Sequence, residues 1–174
     1  MPTNISMLRG INVSGQKIIK MEALKNLYAS LNFKNVKTYI QSGNVIFECR
    51  ETSPEILKKK IENKIKEKFG FDVVVFIRTK KELQKIIENN PFKNEDGLYV
   101  TFLTSVPSFV PTEEINKIKS SSEKFVVSGK EIYFFCPNGY GKTKLSNNFF
   151  EKKLKVSATT RNWKTVNVLS GMWK

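Results

Sequence analysis

Tyr39-Ile40-Gln41-Ser42-Gly43-Asn44-Val45-Ile46-Phe47 and Phe125-Val126-Val127-Ser128-Gly129-Lys130-Glu131-Ile132-Tyr133 align without a gap. In each, two β-prone runs are pinched around Ser-Gly and one polar residue, a strong short-range hairpin signal. A hairpin repeated at so long a spacing predicts two copies of one α+β unit. Working outward, the first copy begins with a strand over Thr3–Val13 and a helix over Lys20–Leu31, whose Met21, Leu24, Leu27 and Leu31 share a stripe at helical spacing. Strands Val36–Gln41 and Val45–Cys49 form the hairpin. Ser53-Pro54 then supplies a cap and a first-turn proline for a helix that ends at Gly70. The apolar Val73–Arg78 reads as a central strand.

The second copy repeats the pattern. Thr79-Lys80-Lys81-Glu82 fits a capping box for a linking helix that ends before Pro91. A strand over Leu98–Thr104, a helix over Thr112–Lys119, the hairpin Glu123–Ser128/Glu131–Cys136, a helix over Lys144–Leu154 and a strand over Val156–Arg161 follow. A last helix spans Trp163–Trp173. The order β-α-β-β-α-β, written twice, predicts two ferredoxin-like subdomains in tandem with an extra C-terminal helix. Their spans are 1–79 and 97–174, joined by a linking helix and loop over 80–96.

The 30 basic and 16 acidic residues leave a net charge of +14. Residues 138–174 hold 8 basic residues and 1 acidic residue, so the C-terminal stretch invites an anionic partner. Against that, 26 of the cations are Lys and only 4 are Arg, and Lys lacks the forked geometry of phosphate and base contacts. There is no His, which removes Ser-His-Asp and Cys-His catalysis and His-ligated metals. With Asp only at Asp72 and Asp96, an Asp-rich two-metal site is not expected either. Neither a metal nor a cofactor is expected. Cys49 and Cys136 each close a strand without a CxxC neighbour and read as buried free thiols of a reducing cytoplasm. The longest apolar run, Val73–Ile77, is far short of the roughly 20 residues a span needs, and the opening residues lack a signal-peptide pattern. A soluble cytoplasmic protein with no membrane partner is the expectation.

Three segments concentrate polar chemistry. Asn138-Gly139-Tyr140-Gly141-Lys142-Thr143 lies between a strand and a helix, as a phosphate loop would. The Walker A spacing fails, however, because its first Gly would fall at Cys136. Flexible glycines beside Lys142 and Lys144 ahead of a helix can still hold an anion. In Thr159–Thr165, Arg161 meets the start of the last helix, and Asn162 or Thr160 can cap it. In Leu8–Gly15, Arg9-Gly10 inside a strand suggests a bulge or a close backbone approach. Asn12, with Gln41, Ser42 and Asn44, could line a polar surface at the same end of the sheet; ordinary turn chemistry explains these residues equally well.

Leu8-Arg9-Gly10-Ile11-Asn12-Val13 with Gly15, Met21, Thr38–Val45, Lys144-Leu145-Ser146 and Thr159–Val166 together resemble the signature of domain of unknown function family 1697. The resemblance implies a small cytoplasmic prokaryotic protein with two ferredoxin-like subdomains, and no activity. One departure is Gly141-Lys142-Thr143-Lys144, where Gly-Arg-Ser-Lys is common in the family. The functional expectation is therefore an anionic ligand, either a phosphate-bearing small molecule or weakly and non-specifically bound nucleic acid. Lys142, Lys144, Arg161 and Asn162 would hold it, with Arg9, Asn12, Gln41, Ser42 and Asn44 as a second polar cluster. The alternatives are a His-independent enzyme using Lys or Arg electrostatics and a protein-interaction module.

Overall fold

The computed structural model describes residues 1–93 and 95–173. The chain is an α+β protein with two four-stranded antiparallel sheets and six α-helices among the described residues. It divides into two compact units, Met1–Lys85 with Val168–Lys174, and Ile86–Asn167. Within the expected spans 80–96 and 97–174, Asn94 and Lys174 lie outside the described residues.

In the first unit β1 (Thr3–Leu8), α1 (Met21–Ser30), β2 (Lys34–Tyr39), β3 (Asn44–Glu48), α2 (Pro54–Phe69) and β4 (Val75–Thr79) follow one another. Their sheet order is β2-β3-β1-β4. Helix α2 obeys its local signals: Ser53 Oγ accepts from the Ile56 amide at 3.4 Å, and Gly70 closes the helix in the left-handed region at φ +82°. Leu24 and Leu27 of α1 and Leu57, Ile61 and Ile65 of α2 bury against Leu8, Val45, Phe47, Val75 and Ile77. The buried Tyr28 hydroxyl reaches Ser6 Oγ at 2.5 Å on the same sheet face. Thr79 and Glu82 form the predicted reciprocal box at the head of α3 (Lys80–Glu88), with Thr79 N to Glu82 Oε2 at 2.8 Å and Glu82 N to Thr79 Oγ1 at 3.1 Å.

The second unit repeats the order with β5 (Leu98–Leu103), α4 (Thr112–Ile118), β6 (Lys124–Ser128), β7 (Glu131–Phe135), α5 (Asn147–Leu154) and β8 (Ala158–Asn162), arranged β6-β7-β5-β8; α6 (Trp163–Gly171) follows, with its residues from Val168 onward belonging to the first unit. Its core gathers Leu103, Ile115, Ile132, Phe134, Leu145, Phe150, Leu154 and Ala158. The two units share backbone bonds at the ends of their first strands. Leu8 N donates to Gly43 O and Leu103 N to Lys130 O; Arg9 N donates to Val74 O and Thr104 N to Ser157 O.

Four expectations are corrected. Both hairpins form, but their gap-free alignment is out of register, because the matching bonds set Gly43 opposite Lys130 rather than Gly129. The first turn takes four residues, Ile40–Gly43, while the second takes only Gly129-Lys130. Gly129 (φ +58°) alone is left-handed in that pair, as a II′ turn requires. The first strand stops at Leu8, since Gly10, Asn12, Ser14, Gly15 and Lys17 all have positive φ. Strand β4 is an edge strand; it reads as central because Val75, Phe76 and Ile77 are buried on both of its faces. Helix α5 starts at Asn147, not Lys144. Ser146 Oγ caps it by accepting from Phe149 N at 3.2 Å, behind a 3-10 turn over Tyr140–Lys142.

Candidate functional site

The repeat locates the place where the second unit departs from the first. Cys49 and Cys136 are equivalent: each is buried, free and one residue past its strand, with Cys49 N bonded to Pro2 O and Cys136 N to Gly97 O. Ser53 and Ser146 are equivalent helix caps. Between cysteine and cap the first unit needs only Arg50–Thr52, whereas the second spends Pro137–Leu145, three residues against nine. The longer connection carries Lys142 and Lys144. With Ile118, Ser120 and Glu123 it lines a concavity of about 610 Å³.

The walls of this concavity are held from below. Glu123 is only 5 % exposed. Its Oε1 accepts from Ser120 N at 2.8 Å, and its Oε2 lies 3.5 Å from the Cys136 thiol. The same thiol is 3.1 Å from the Gly139 carbonyl, and Asn138 Nδ2 donates to Ser122 Oγ at 3.3 Å. Burial first, and then the Glu123 carboxylate, push the Cys136 thiol up to about 11, so it stays protonated near neutral pH. Lys142 and Lys144 are exposed. Neither ammonium has a hydrogen-bond or ion-pair partner among the described residues. Two such ammoniums over one buried carboxylate leave a net positive opening, which suits an anion.

Arg161 and Asn162 are placed differently. Arg161 lies in β8, 6 % exposed, with its guanidinium donating to Thr159 Oγ1 at 2.8 Å and to the Thr160 carbonyl at 3.0 Å. Burial draws it down to about 10, with Tyr140 acting in the opposite direction. Asn162 Oδ1 accepts from Thr165 N at 2.8 Å and caps α6. The first unit contains the same device. Arg78 is 3 % exposed, donates to the Ile77 carbonyl at 2.9 Å, and precedes the cap residue Thr79. Neither Arg161 nor Asn162 lines the concavity.

The second polar cluster ties two loops of the first unit together. Asn12 Nδ2 donates to Gln41 O at 2.8 Å and to Ile19 O at 2.9 Å, while its Oδ1 accepts from Ile19 N at 2.8 Å. Buried Asn44 donates to Tyr39 O at 2.9 Å and to Ser42 Oγ at 3.0 Å, closing the hairpin turn. Arg9 is half-buried, and Gln41 is exposed.

A family model described as a protein of unknown function (DUF1697) matches residues 1–133. The chain belongs to that family. The DUF1697 span contains the Asn12 cluster and Glu123 but stops ahead of Lys142 and Lys144. No curated protein matches the sequence. Among solved structures, the chain is similar to the conserved bacterial protein SP0830 from Streptococcus pneumoniae, at 21 % identity and a TM-score of 0.70 over 99 % of each chain. At that identity the likeness concerns the fold.

The sequence brought Lys142 and Lys144 forward and missed Glu123, Ser120 and Asn138. Glu123 reaches the site through a contact distant in sequence, which no local pattern announces. The excess length between Cys136 and Ser146 was the available signal.

Proposed function

We propose that the protein binds a small phosphate-bearing anion in the Pro137–Leu145 concavity, with Lys142 and Lys144 as the ligand contacts. The observation that carries this reading is the pair of ammoniums, without partners among the described residues, sharing one concavity on a connection that the sibling unit keeps short. Arg161 and Asn162 serve the reading indirectly, by fixing the end of β8 and the start of α6. Each unit is taken as a ferredoxin-like module. Support comes from the strand orders β2-β3-β1-β4 and β6-β7-β5-β8, with both helices of the first unit packed on one sheet face. The two buried free thiols support a reducing, cytoplasmic location. Nucleic acid enters this reading as a weak, non-specific competitor attracted by net charge.

The test is calorimetric titration with pyrophosphate. A charge-assisted contact is worth about 1.5–3 kcal/mol, so Lys142→Ala and Lys144→Ala should each weaken binding roughly tenfold or more with melting unchanged. Labelled RNA and DNA should lose affinity steeply between about 50 and 200 mM salt, and pyrophosphate much less. Equal pyrophosphate affinity in wild type and in both variants refutes the site.

A further inference from the structure

A second surface, on the first unit, is left unexplained by the anion site. Val13, Ile18 and Ile40 are 58 %, 60 % and 47 % exposed. Two loops present them, and both loops are fastened to one side chain. Asn12 bonds Ile19 on one side and Gln41 on the other, while its backbone amide donates to Lys17 O at 3.1 Å. Each exposed aliphatic residue therefore sits one position from a residue that Asn12 holds or from Asn12 itself.

Ile40 is the telling member of the three. Its φ is +50°, a conformation that favours Gly, Asn or Asp and that a β-branched residue adopts only under constraint. Burial does not account for an isoleucine there, since nearly half of it faces water. The charge carried by the two loops themselves has one sign. Arg9, Lys17 and Lys20 belong to the same loop, and neither residues 1–21 nor 34–47 contain Asp or Glu. Asp72 offers Lys17 Nζ its backbone carbonyl at 2.7 Å, while its carboxylate pairs with Lys66 at 3.6 Å, and Glu22 stands in the first turn of α1.

We propose that this tip docks on an anionic phospholipid surface, with the aliphatic side chains entering the headgroup layer and the cations meeting the phosphates. The apolar patch is on the order of a few hundred Å², well short of the roughly 800 Å² per partner that a stable protein interface buries. Shallow insertion beside cations needs no such area. It needs no spanning helix either, and no helix of the described residues is long and apolar enough to cross a membrane.

The test is co-sedimentation with vesicles of phosphatidylcholine alone and of equal parts phosphatidylglycerol and phosphatidylcholine, at about 0.15 M salt, where screening acts over about 8 Å. Wild type should bind the anionic vesicles and not the neutral ones. The triple variant Val13→Ser, Ile18→Ser, Ile40→Asn retains every charge and should bind roughly tenfold more weakly, with its melting retained because Asn suits the left-handed position. Ile18→Ser alone, at a residue 60 % exposed, should show part of the loss and decides the matter if the triple variant fails to fold. Absence of wild-type binding, or equal binding by the variants, overturns the proposal by leaving only the attraction of net charge. An equal loss of affinity for duplex DNA in the triple variant overturns it as well, by assigning the tip to polyanions in general.

Discussion

Gly43 and Gly70 have nearly the same φ, +87° and +82°, in different surroundings. A Cβ at Gly70 meets nothing within 4 Å, whereas at Gly43 it would lie 2.7 Å from Ile11 Cδ1 and 2.9 Å from Leu8 Cβ. Alanine at either position incurs the left-handed penalty of about 1–2 kcal/mol, offset by about 0.4–1 kcal/mol from the restricted unfolded chain. Gly70→Ala should therefore cost about 1 kcal/mol. Gly43→Ala adds overpacking of about 1–3 kcal/mol, since Leu8 Cβ is fixed by the strand and Ile11 is 1 % exposed, for a total near 2–4 kcal/mol. Urea denaturation followed by circular dichroism measures both variants, and thermal midpoints should separate by several degrees, at about 2–4 °C per kcal/mol for a chain of this size. Ile11→Ala costs about 2–5 kcal/mol by itself, but its cost should be smaller in the Gly43→Ala background, a favourable coupling in the double-mutant cycle. Costs within about 0.5 kcal/mol of each other, the usual error of additivity, would falsify the claim that the 9–19 loop is packed rigidly onto the hairpin turn.

Two further predictions concern a cap and a pH range. Thr79→Ala removes one half of the reciprocal box and should cost about 1 kcal/mol; the cost of Glu82→Ala should not add fully to it, since both residues serve the same helix start. Burial and then Glu123 raise Cys136 from 9.0 to about 11, and burial and then Glu131 raise Tyr133 from 10.0 to about 12. Each therefore holds its proton more tightly in the folded chain. At these two groups the unfolded chain binds fewer protons above pH 9, so they should lower stability as pH rises through 9 to 12, with Arg161, drawn down to about 10, acting in the opposite direction above pH 10. Denaturant midpoints across that range should show the fall, with Cys136→Ala flattening its first part; a midpoint that stays level to pH 11 contradicts the assignment.

Legibility in this sequence follows the range of the interaction. Signals that act within one turn of chain were clear. Ser53-Pro54 and Gly70 bounded α2, and Thr79-Lys80-Lys81-Glu82 opened α3. Signals that depend on partners across a sheet were not. The two Ser-Gly hairpins look superposable because composition repeats, yet Leu8 bonds to Gly43 where Leu103 bonds to Lys130. Since side chains alternate, a one-residue slip exchanges the two faces of the strand. The apolar run of β4 announced burial on both faces and not a place in the sheet order. At the candidate site, Lys142 and Lys144 were visible as cations near glycines, while Arg161 looked like a surface residue at a helix start and is buried.

The repeat also separates what builds the fold from what is added to it. A buried arginine bonded to the preceding carbonyl, followed by a helix cap, occurs as Arg78-Thr79 and again as Arg161-Asn162. A feature that both units carry at equivalent positions is accounted for by the strand-to-helix junction they share. It gives no reason to place a ligand at one junction and not the other. The nine residues between Cys136 and Ser146 have no such counterpart, because the first unit joins the same two points with three. Closing a longer loop costs additional chain entropy, and this one exposes two ammoniums without partners among the described residues over a concavity. Neither the strand junction nor the helix cap needs that length, since Arg50–Thr52 suffice in the sibling. The unrepeated segment is therefore the part of this connection that the shared scaffold does not account for, and Lys142 and Lys144 are its exposed cations.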